Sequence, residues 1–167
     1  MPALCSEQVF SARAIGVIKT PFTRAEGTPI QSTYASGVEG QVILDDKYEP
    51  ALADIEGFER LWLVYWLDRA GPFQPAVIPY RDTVAHGLFA TRSPCRVNPI
   101  GLSLVCLVGR SGCQLSIRDV DVLDGTPLLD IKPYVPDFDA RPGSRAGWFD
   151  QAGVDRRVAD GRFHGSR

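Results

Sequence analysis

Short strand-like segments that follow one another closely along the chain constrain the fold more than any other feature. Each is rich in Val, Ile, Leu or aromatic residues and is bounded by Gly, Pro or Asp. They are RAIGVIKT (13–20), GQVILD (40–45), RLWLVYWLD (60–68), GLFAT (87–91), GLSLVCLVG (101–109), CQLSIRDVDVL (113–123) and PLLDIKPYV (127–135). Because few helical patterns separate them, the sequence predicts an all-β fold, a β-barrel or sandwich with few short helices.

Two details of these segments favour the barrel. In 113–123 the apolar residues change phase after Ile117, which predicts a β-bulge near Arg118 and Asp119. Bulges bend strands, as a closed barrel requires. The segments 60–68 and 101–109 are apolar on both faces, which predicts central strands that are covered on both sides.

Helical patterns are limited to two places. ALADI (51–55) is long enough for one turn, and 146–160 has apolar residues at loosely helical spacing, although Gly153 weakens a helix there. The stretch before that second pattern is rich in Pro, Gly and Ser and is typical of a linker. We therefore divide the chain into an N-terminal extension (1–12), a barrel domain (13–139) and a C-terminal tail (140–167) that holds one helix.

Composition excludes several classes of protein. At 167 residues the chain fits one domain, and its longest apolar run, 61–67, is far shorter than the roughly 20 residues of a membrane-spanning helix. The first ten residues do not resemble a signal peptide, so we expect a cytoplasmic protein without a membrane span. Phosphate-binding glycine loops, HExxH and GxSxG are missing, which excludes the common nucleotide-binding folds, zinc proteases and α/β-hydrolases.

Neither cysteine nor histidine spacing indicates a metal site. No CxxC pair occurs, and neither histidine lies at ligand-like spacing, so the sequence predicts no bound metal. The residues concerned are Cys5, Cys95, Cys106, Cys113, His86 and His164.

The charge balance bears on nucleic-acid binding. A formal net charge of −2 and a pI near 5.7 argue against a protein that coats nucleic acid by bulk electrostatics. A local basic patch stays open, because six arginines follow residue 140 and three aspartates oppose them; a solvated tail is the alternative. The arginines are Arg141, Arg145, Arg156, Arg157, Arg162 and Arg167.

The segment ATRSPCRVNPIGLS (90–103) carries the first candidate chemistry. Its prolines forbid a helix and a regular strand interior, so it predicts a stiff loop. Such a loop would present Arg92 and Arg96 as rigid donors for a carboxylate or phosphate. The alternative is that each arginine pairs with a nearby aspartate.

A second candidate loop is DVLDGTP (121–127). Asp-Gly is a strong turn signal, and Asp121, Asp124 and Thr126 place oxygen acceptors around it, suitable for a ribose diol or a cationic group. A purely structural hairpin has the same sequence pattern.

The third candidate is DIKPY (130–134). Strand alternation puts Asp130, Lys132 and Tyr134 on one face. A carboxylate, an ammonium and a phenol in a row form a possible acid/base set. They are equally compatible with a salt-bridged, solvated face.

Five segments taken together resemble one family. They are GVIKTPF (16–22), TPIQ (28–31), IEGFERLWLVYWL (55–67), FATRSPCRVNPIGLS (89–103) and DVLDGTPLLDIKPYVP (121–136). In this order they resemble the YaeB-like (TrmO-like) family of S-adenosylmethionine (SAM)-dependent tRNA adenosine N6-methyltransferases, from about Arg13 to Asp139. The resemblance implies a SAM-binding β-barrel that works on tRNA as a homodimer, with its site near the subunit interface.

The resemblance also implies which residues act. The residues implied to bind SAM are Pro29, Ile30, Gln31, Asp68, Arg69, Arg92, Leu102, Leu123, Asp124 and Gly125. The implied acceptor is N6 of a threonylcarbamoylated adenosine beside the anticodon, an amide-like nitrogen that needs activation. The residues expected to activate this nitrogen are Asp130, Lys132 and Tyr134. Asn98 is expected to orient the substrate or the cofactor.

The chain departs from the family pattern in four ways. Val97 stands where the family has proline in Arg-Pro-Asn-Pro, Ile30 stands where it has a basic residue, and the polar pair after the LVYWL strand is Asp68-Arg69. We also expect a short form that lacks the second, C-terminal domain of longer relatives. These departures keep two alternatives open, namely a SAM-binding regulatory module without catalysis and a methyltransferase for a small molecule.

Overall fold

The computed structural model describes residues 9–164, with side chains as far as Arg162. Cys5 and Arg167, discussed above, lie outside the described residues. The strands are β1 (Gly16–Lys19), β2 (Glu39–Leu44), β3 (Arg60–Trp66), β4 (Ala76–Val77), β5 (His86–Gly87), β6 (Ile100–Ser111), β7 (Gln114–Arg118) and β8 (Thr126–Pro133).

Six of the strands form a closed antiparallel barrel in the order β1-β2-β7-β6-β3-β8, and β1 pairs with β8 to close it. β4 and β5 form a separate two-stranded sheet. The predicted all-β barrel is therefore confirmed. Closure leaves none of the six strands with an unpaired edge.

Alternating side chains fill the barrel. On β3, Leu61, Leu63 and Tyr65 face inward and are buried, whereas Trp62 and Trp66 face outward. The other fully enclosed side chains of the barrel strands are Ile18, Val42, Val105, Leu115, Ile117 and Leu128. A single apolar core thus supplies most of the driving force for folding.

Helices are short. The α-helix α1 spans Pro136–Asp139. The 3₁₀ helices span Ser32–Tyr34, Asp46–Leu52, Ile55–Gly57, Leu88–Ala90, Gly147–Gln151 and Gly161–His164. The turn predicted at 51–55 lies across the second and third of these. A membrane-spanning helix is not found among residues 9–164.

The strand predicted at 87–91 is wrong. Only Gly87 is in a strand, and Leu88–Ala90 forms a 3₁₀ helix. The turn is closed by Thr91, whose backbone N and side-chain Oγ1 both donate to the Leu88 carbonyl, at 3.0 and 2.8 Å. These local bonds compete with strand pairing, which explains the difference.

The bulge predicted near Arg118 and Asp119 is supported directly after β7. Asp119 N and Val120 N both donate to the Val38 carbonyl, at 2.9 and 3.4 Å, so two residues lie opposite one. Asp119 takes a left-handed backbone conformation (φ 66°), and its Oδ1 accepts a hydrogen bond from Gly37 N at 2.9 Å. Val120 and Val122 then enter the core. Further register shifts lie at Val64/Tyr65 and Leu107/Gly109.

The long helix predicted over 146–160 does not form. Only Gly147–Gln151 is helical, and residues 157–159 run antiparallel to residues 27–30. Ile30 N donates to the Arg157 carbonyl at 3.0 Å, and Ala159 N donates to the Thr28 carbonyl at 2.8 Å. Backbone pairing with the barrel loop thus outweighs a weak helical pattern.

Two strands are less covered than predicted. The outward side chains of Trp66, Ile100 and Leu102, at the end of β3 and the start of β6, are each about half exposed. The described residues cover this end of the two strands on one face only. We call these three residues the apolar face.

Candidate functional site

A cavity of about 360 Å³ opens where β3 ends and β6 begins. Most of its wall comes from five separate stretches of chain, 28–31, 65–69, 91–96, 100–102 and 121–126, and Ala25, Tyr80 and Ala159 complete it. The fold therefore brings together loops that are far apart in sequence. Those of the predicted SAM-binding residues that line it are Pro29, Ile30, Gln31, Asp68, Arg69, Arg92, Leu102 and Leu123.

The other two predicted SAM-binding residues lie in the loop behind the cavity wall. Asp124 Oδ1 accepts a hydrogen bond from Thr20 N at 3.1 Å, and its Oδ2 lies 3.6 Å from Lys19 Nζ. Gly125 has φ 76°, a conformation that favours glycine, and its N donates to the Ile18 carbonyl at 2.9 Å. Both residues fasten this loop to β1.

Arg92 stands at the cavity wall with an exposed side chain. Its Nη1 donates to Gln31 Oε1 at 2.5 Å, which ties the proline loop to the 28–31 segment. Within residues 9–162 no carboxylate lies in salt-bridge range of Arg92, so its other donors stay available to an anionic group. This agrees with the predicted stiff loop that presents an arginine.

Arg96 has a different role from the one predicted. Its Nη1 donates to the Thr91 and Ser93 carbonyls at 3.0 and 3.3 Å, and its guanidinium lies 5.6 Å from the centre of the Phe89 ring. The group is used within its own loop, neither presented outward nor paired with an aspartate. Arg96 therefore stiffens the loop that carries Arg92.

Arg69 holds the loop after Asp121 in place. Its guanidinium donates to the Asp124 carbonyl at 2.9 Å, to Thr126 Oγ1 at 2.8 Å and, more weakly, to the Leu123 carbonyl at 3.5 Å. Its Nε is 3.3 Å from Asp68 Oδ1. Most of its donors are thus satisfied by the protein.

A chain of hydrogen bonds that the sequence analysis missed lies in the cavity wall. Tyr65 OH is 2.9 Å from Ser103 Oγ, and Ser103 Oγ donates to Asp121 Oδ1 at 2.5 Å. A signal was present, because Tyr65 and Ser103 are polar residues at inward-facing positions of two strands that are otherwise apolar. Gly101 makes room for it, since a Cβ there would lie 2.0 Å from the Tyr65 ring.

Burial changes the acidity of this group of residues. Desolvation is the main cause that raises the pKa of Asp121 to about 6, and the hydrogen bond from Ser103 and the charge of Arg92 oppose it. Burial and the charge of Asp121 raise the pKa of Tyr65. The cavity therefore holds a carboxyl group that exchanges a proton near neutral pH.

The four residues predicted for activation lie outside the cavity. On β8, Lys132 Nζ and Asp130 Oδ2 form a 2.8 Å salt bridge on the solvated surface, and Asp130 raises the pKa of Lys132. Tyr134 packs edge-on against Trp62, with ring centres 6.1 Å apart. Asn98 is exposed, and its carbonyl accepts a hydrogen bond from Ile100 N at 2.8 Å. In a single chain the geometry therefore favours the alternative of a salt-bridged, solvated face.

No cluster of three or more His, Cys, Asp or Glu side chains suited to a metal ion occurs among the side chains described from residue 9 to residue 162. The lining of the cavity offers arginine donors, carboxyl and hydroxyl groups, and apolar walls.

Proteins of known name resemble the chain over most of its length. A probable S-adenosyl-L-methionine-binding protein of Pyrococcus abyssi is 48% identical over 153 residues, which are 90% of this chain and 83% of that protein. The tRNA (adenine(37)-N6)-methyltransferase of Escherichia coli is 34% identical over 153 residues, covering 86% of this chain and 65% of that enzyme. This chain thus spans about two thirds of the Escherichia coli enzyme.

Solved structures and a family model agree with these relatives. The crystal structure of TrmO from Pseudomonas aeruginosa superimposes with a TM-score of 0.71 at 34% identity, over 84% of this chain and 62% of that one. The family model of the tRNA-methyltransferase O N-terminal domain matches residues 17–140, which include all eight strands apart from Gly16 and the cavity walls up to residue 126. The chain therefore belongs to the family of the tRNA-methyltransferase O N-terminal domain.

Proposed function

We propose that this protein is a SAM-dependent methyltransferase that acts on N6 of an adenosine in tRNA. Family membership and the names of the Escherichia coli and mouse relatives support this activity. The observation that carries the proposal is the cavity, in which an arginine with available donors and a proton-exchanging carboxyl group face the same space. Because the proposed substrate is tRNA, we also propose that the protein acts in the cytoplasm.

The cavity residues fit SAM by their chemistry. SAM presents a carboxylate, a ribose diol, an adenine ring and a cationic sulfonium. Arg92 supplies donors for the carboxylate, Asp68 supplies acceptors for hydroxyl groups, and the apolar walls at Ile30, Leu102 and Leu123 suit the flat adenine. The volume of about 360 Å³ lies within the range of small-molecule sites.

When bound, SAM supplies an electrophilic methyl group, and the protein must place the acceptor nitrogen in line with it. We propose N6 of threonylcarbamoyl-adenosine beside the anticodon as that acceptor. Such a nitrogen is amide-like and a poor nucleophile, so its proton must be removed. The carboxylate of Asp121 is suited to accept this proton, because it lies in the cavity with a pKa close to the working pH.

We also propose that the protein works as a homodimer with its site near the interface. The apolar face supports this, because three half-exposed apolar side chains lie together on two adjacent strands. Ile100 and Leu102 belong both to this face and to the cavity wall. A second copy packed there would cover the cavity mouth. A role for Asp130, Lys132, Tyr134 or Asn98 stays a prediction, and it requires the acceptor or a second copy to reach them.

One alternative function has a specific observation in its favour. Several archaeal relatives are named only as SAM-binding proteins. A regulatory module that binds SAM without catalysis would retain the Arg92 cavity but would not need a base. Transfer of the methyl group therefore distinguishes the two proposals.

The deciding experiment incubates the protein with labelled SAM and tRNA that carries threonylcarbamoyl-adenosine, with unmodified tRNA as the control. Nucleoside mass spectrometry then locates the label. We expect methylation of the modified nucleoside only. SAM binding without transfer to either tRNA would favour the regulatory module, and methylation of both would contradict the proposed substrate.

Arg92→Ala tests the cofactor assignment. We expect the Kd for SAM, measured by calorimetry, to rise about 10- to 100-fold, since hydrogen bonds to a charged group contribute about 1.5–3 kcal/mol. Arg118→Ala removes a charge from an exposed position on β7 and is the matched control. Wild-type affinity in the Arg92 variant would refute the assignment.

A further inference from the structure

A second, larger depression lies beside the cavity, and nothing assigned so far uses it. It measures about 660 Å³ and shares a wall with the cavity, because Gln31, Tyr80 and Arg92 line both. We call it the aromatic groove after the rings that line it, which are Tyr34, Tyr80, Phe89, Trp148 and Phe149. A ligand in the groove would thus lie next to a ligand in the cavity.

The groove is built jointly by the family domain and the C-terminal tail. Trp148 and Phe149 follow residue 140, where the family match ends. Trp148 is held firmly, since its Nε1 donates to the Ala90 carbonyl at 2.8 Å and its ring stacks on His86 with centres 4.6 Å apart. The tail is therefore a structural wall of the groove.

Charge in the groove favours an anionic ligand. Three arginines line it, Arg81, Arg92 and Arg162, and its lining residues include no aspartate or glutamate. Arg81 and Arg162 are ion-paired with Asp155 and Asp160, at 3.3 and 2.9 Å. Arg92 is therefore the groove arginine whose donors stay available to an anionic group.

Two buried polar atoms in the groove wall have no hydrogen-bond partner among the described residues, namely Tyr80 OH and Arg81 Nε. Buried polar atoms are paired in the great majority of cases, so such atoms call for an explanation. In contrast, Phe89 is an apolar ring left 81% exposed at the groove edge.

Aromatic platforms beside arginines are the means by which proteins bind single-stranded nucleic acid. Unstacked bases stack on the rings, and guanidinium groups contact the phosphates. Resting on the proposed function, we infer that the aromatic groove binds a nucleotide that flanks the methyl-accepting adenosine in the anticodon loop. Its base stacks on Phe89, and its phosphate faces Arg92 at the shared wall.

Phe89→Ala tests this inference, with Phe138→Ala as the matched control. Both rings are strongly exposed, and Phe138 lies in α1, away from the groove. We expect the Phe89 variant to bind an anticodon stem-loop RNA about 5- to 100-fold more weakly, the range that loss of one stacked base implies. The Kd of the Phe89 variant for SAM should stay at the wild-type value, and so should the Kd of the Phe138 control variant for the RNA.

Abasic RNA identifies the contact. Each loop nucleotide is replaced in turn by an abasic one, and binding is measured with wild-type protein and with the Phe89 variant. We expect one position at which the abasic change and Phe89→Ala are non-additive, next to the acceptor adenosine. Additivity at every position would overturn the inference.

Methyl transfer measured on the same samples separates the two proposals. If wild-type protein methylates the RNA while Phe89→Ala binds as tightly as wild type, the groove inference fails and the proposed function stands. If Phe89 sensitivity is found without any methyl transfer, the groove inference stands and the proposed function fails. If wild-type protein does not bind the RNA, the groove inference is overturned.

Discussion

At the scale of single residues, the partners of a side chain decide its role more than its type does. Arg69, Arg92 and Arg96 all line the cavity. Arg69 and Arg96 spend their donors on backbone carbonyls and loop oxygens, whereas Arg92 makes one bond to Gln31. Of these three arginines, only Arg92 therefore stays available to a ligand carboxylate. No sequence motif distinguishes it from the other two.

Asp121→Asn should remove the proton acceptor while preserving shape. We expect the rate of methyl transfer to fall about 10²- to 10⁴-fold, with a smaller change in the Kd for SAM. In the wild type, kcat/KM should rise with pH through about 6, as Asp121 ionises. The variant should lose this pH dependence. A variant that keeps both rate and profile would exclude Asp121 as the base.

The same substitution has a predicted effect on stability. The pKa of Asp121 is raised in the folded state from an ordinary 3.8 to about 6, so its stabilising contribution is complete below pH 3.8 and is lost as pH rises through about 6. Urea unfolding at pH 4 and pH 7 should show a smaller loss of stability with rising pH in Asp121→Asn. An equal loss in both proteins would contradict the raised pKa.

At the scale of elements, the site depends on loops that rigid strands hold in position. β3 and β6 pair in register from Arg60↔Cys106 to Trp66↔Ile100, so the residues that follow β3 and precede β6 lie at one end of the barrel. The 121–126 loop reaches the same end and is fastened there by Arg69. The precision of the cavity therefore rests on a few loop-to-loop bonds.

Arg69→Ala should loosen the 121–126 loop. We expect the free energy of unfolding in urea to fall by about 1–3 kcal/mol, since several hydrogen bonds to a partly exposed charged group are lost. SAM affinity should fall with it, because Leu123 lines the cavity. Arg69→Lys keeps the charge without the forked geometry and should recover only part of both. Wild-type stability and affinity in Arg69→Ala would show that the loop needs no such fastening.

At the scale of the whole molecule, a closed barrel carries an apolar surface that residues 9–162 do not cover. The apolar face borders the cavity through Ile100 and Leu102. Assembly and the active site are therefore expected to be linked.

Trp66→Glu should disrupt the proposed homodimer. We expect sedimentation to show a dimer for the wild type and a monomer for the variant. The dissociation constant of the dimer should rise about 30-fold or more, as expected when a buried aromatic contact is lost. Phe138→Glu places the same charge at another exposed ring and should leave the dimer intact. A wild-type monomer would contradict the homodimer.

The barrel was predictable because strand alternation and turn residues are local properties that the chain keeps when it folds. RLWLVYWL and GLSLVCLVG became β3 and β6 with nearly the predicted limits. The prediction failed at 87–91, where hydrogen bonds from Thr91 to the Leu88 carbonyl close a local turn, and at 146–160, where residues pair with the distant 27–30 segment. Only in the second case does the competing partner lie outside the window that a sequence pattern covers.

The sequence by itself determined the barrel, the family and the loops that gather at the cavity, since these follow from local patterns and motifs. Only the tertiary structure decided that Asp121 is desolvated and bonded to Ser103 and Tyr65, that Arg96 is used internally, and that the tail builds a groove wall. Desolvation and hydrogen-bond partners depend on residues distant in sequence. Close packing in three dimensions therefore sets the acidity, the free donors and the shape on which function depends.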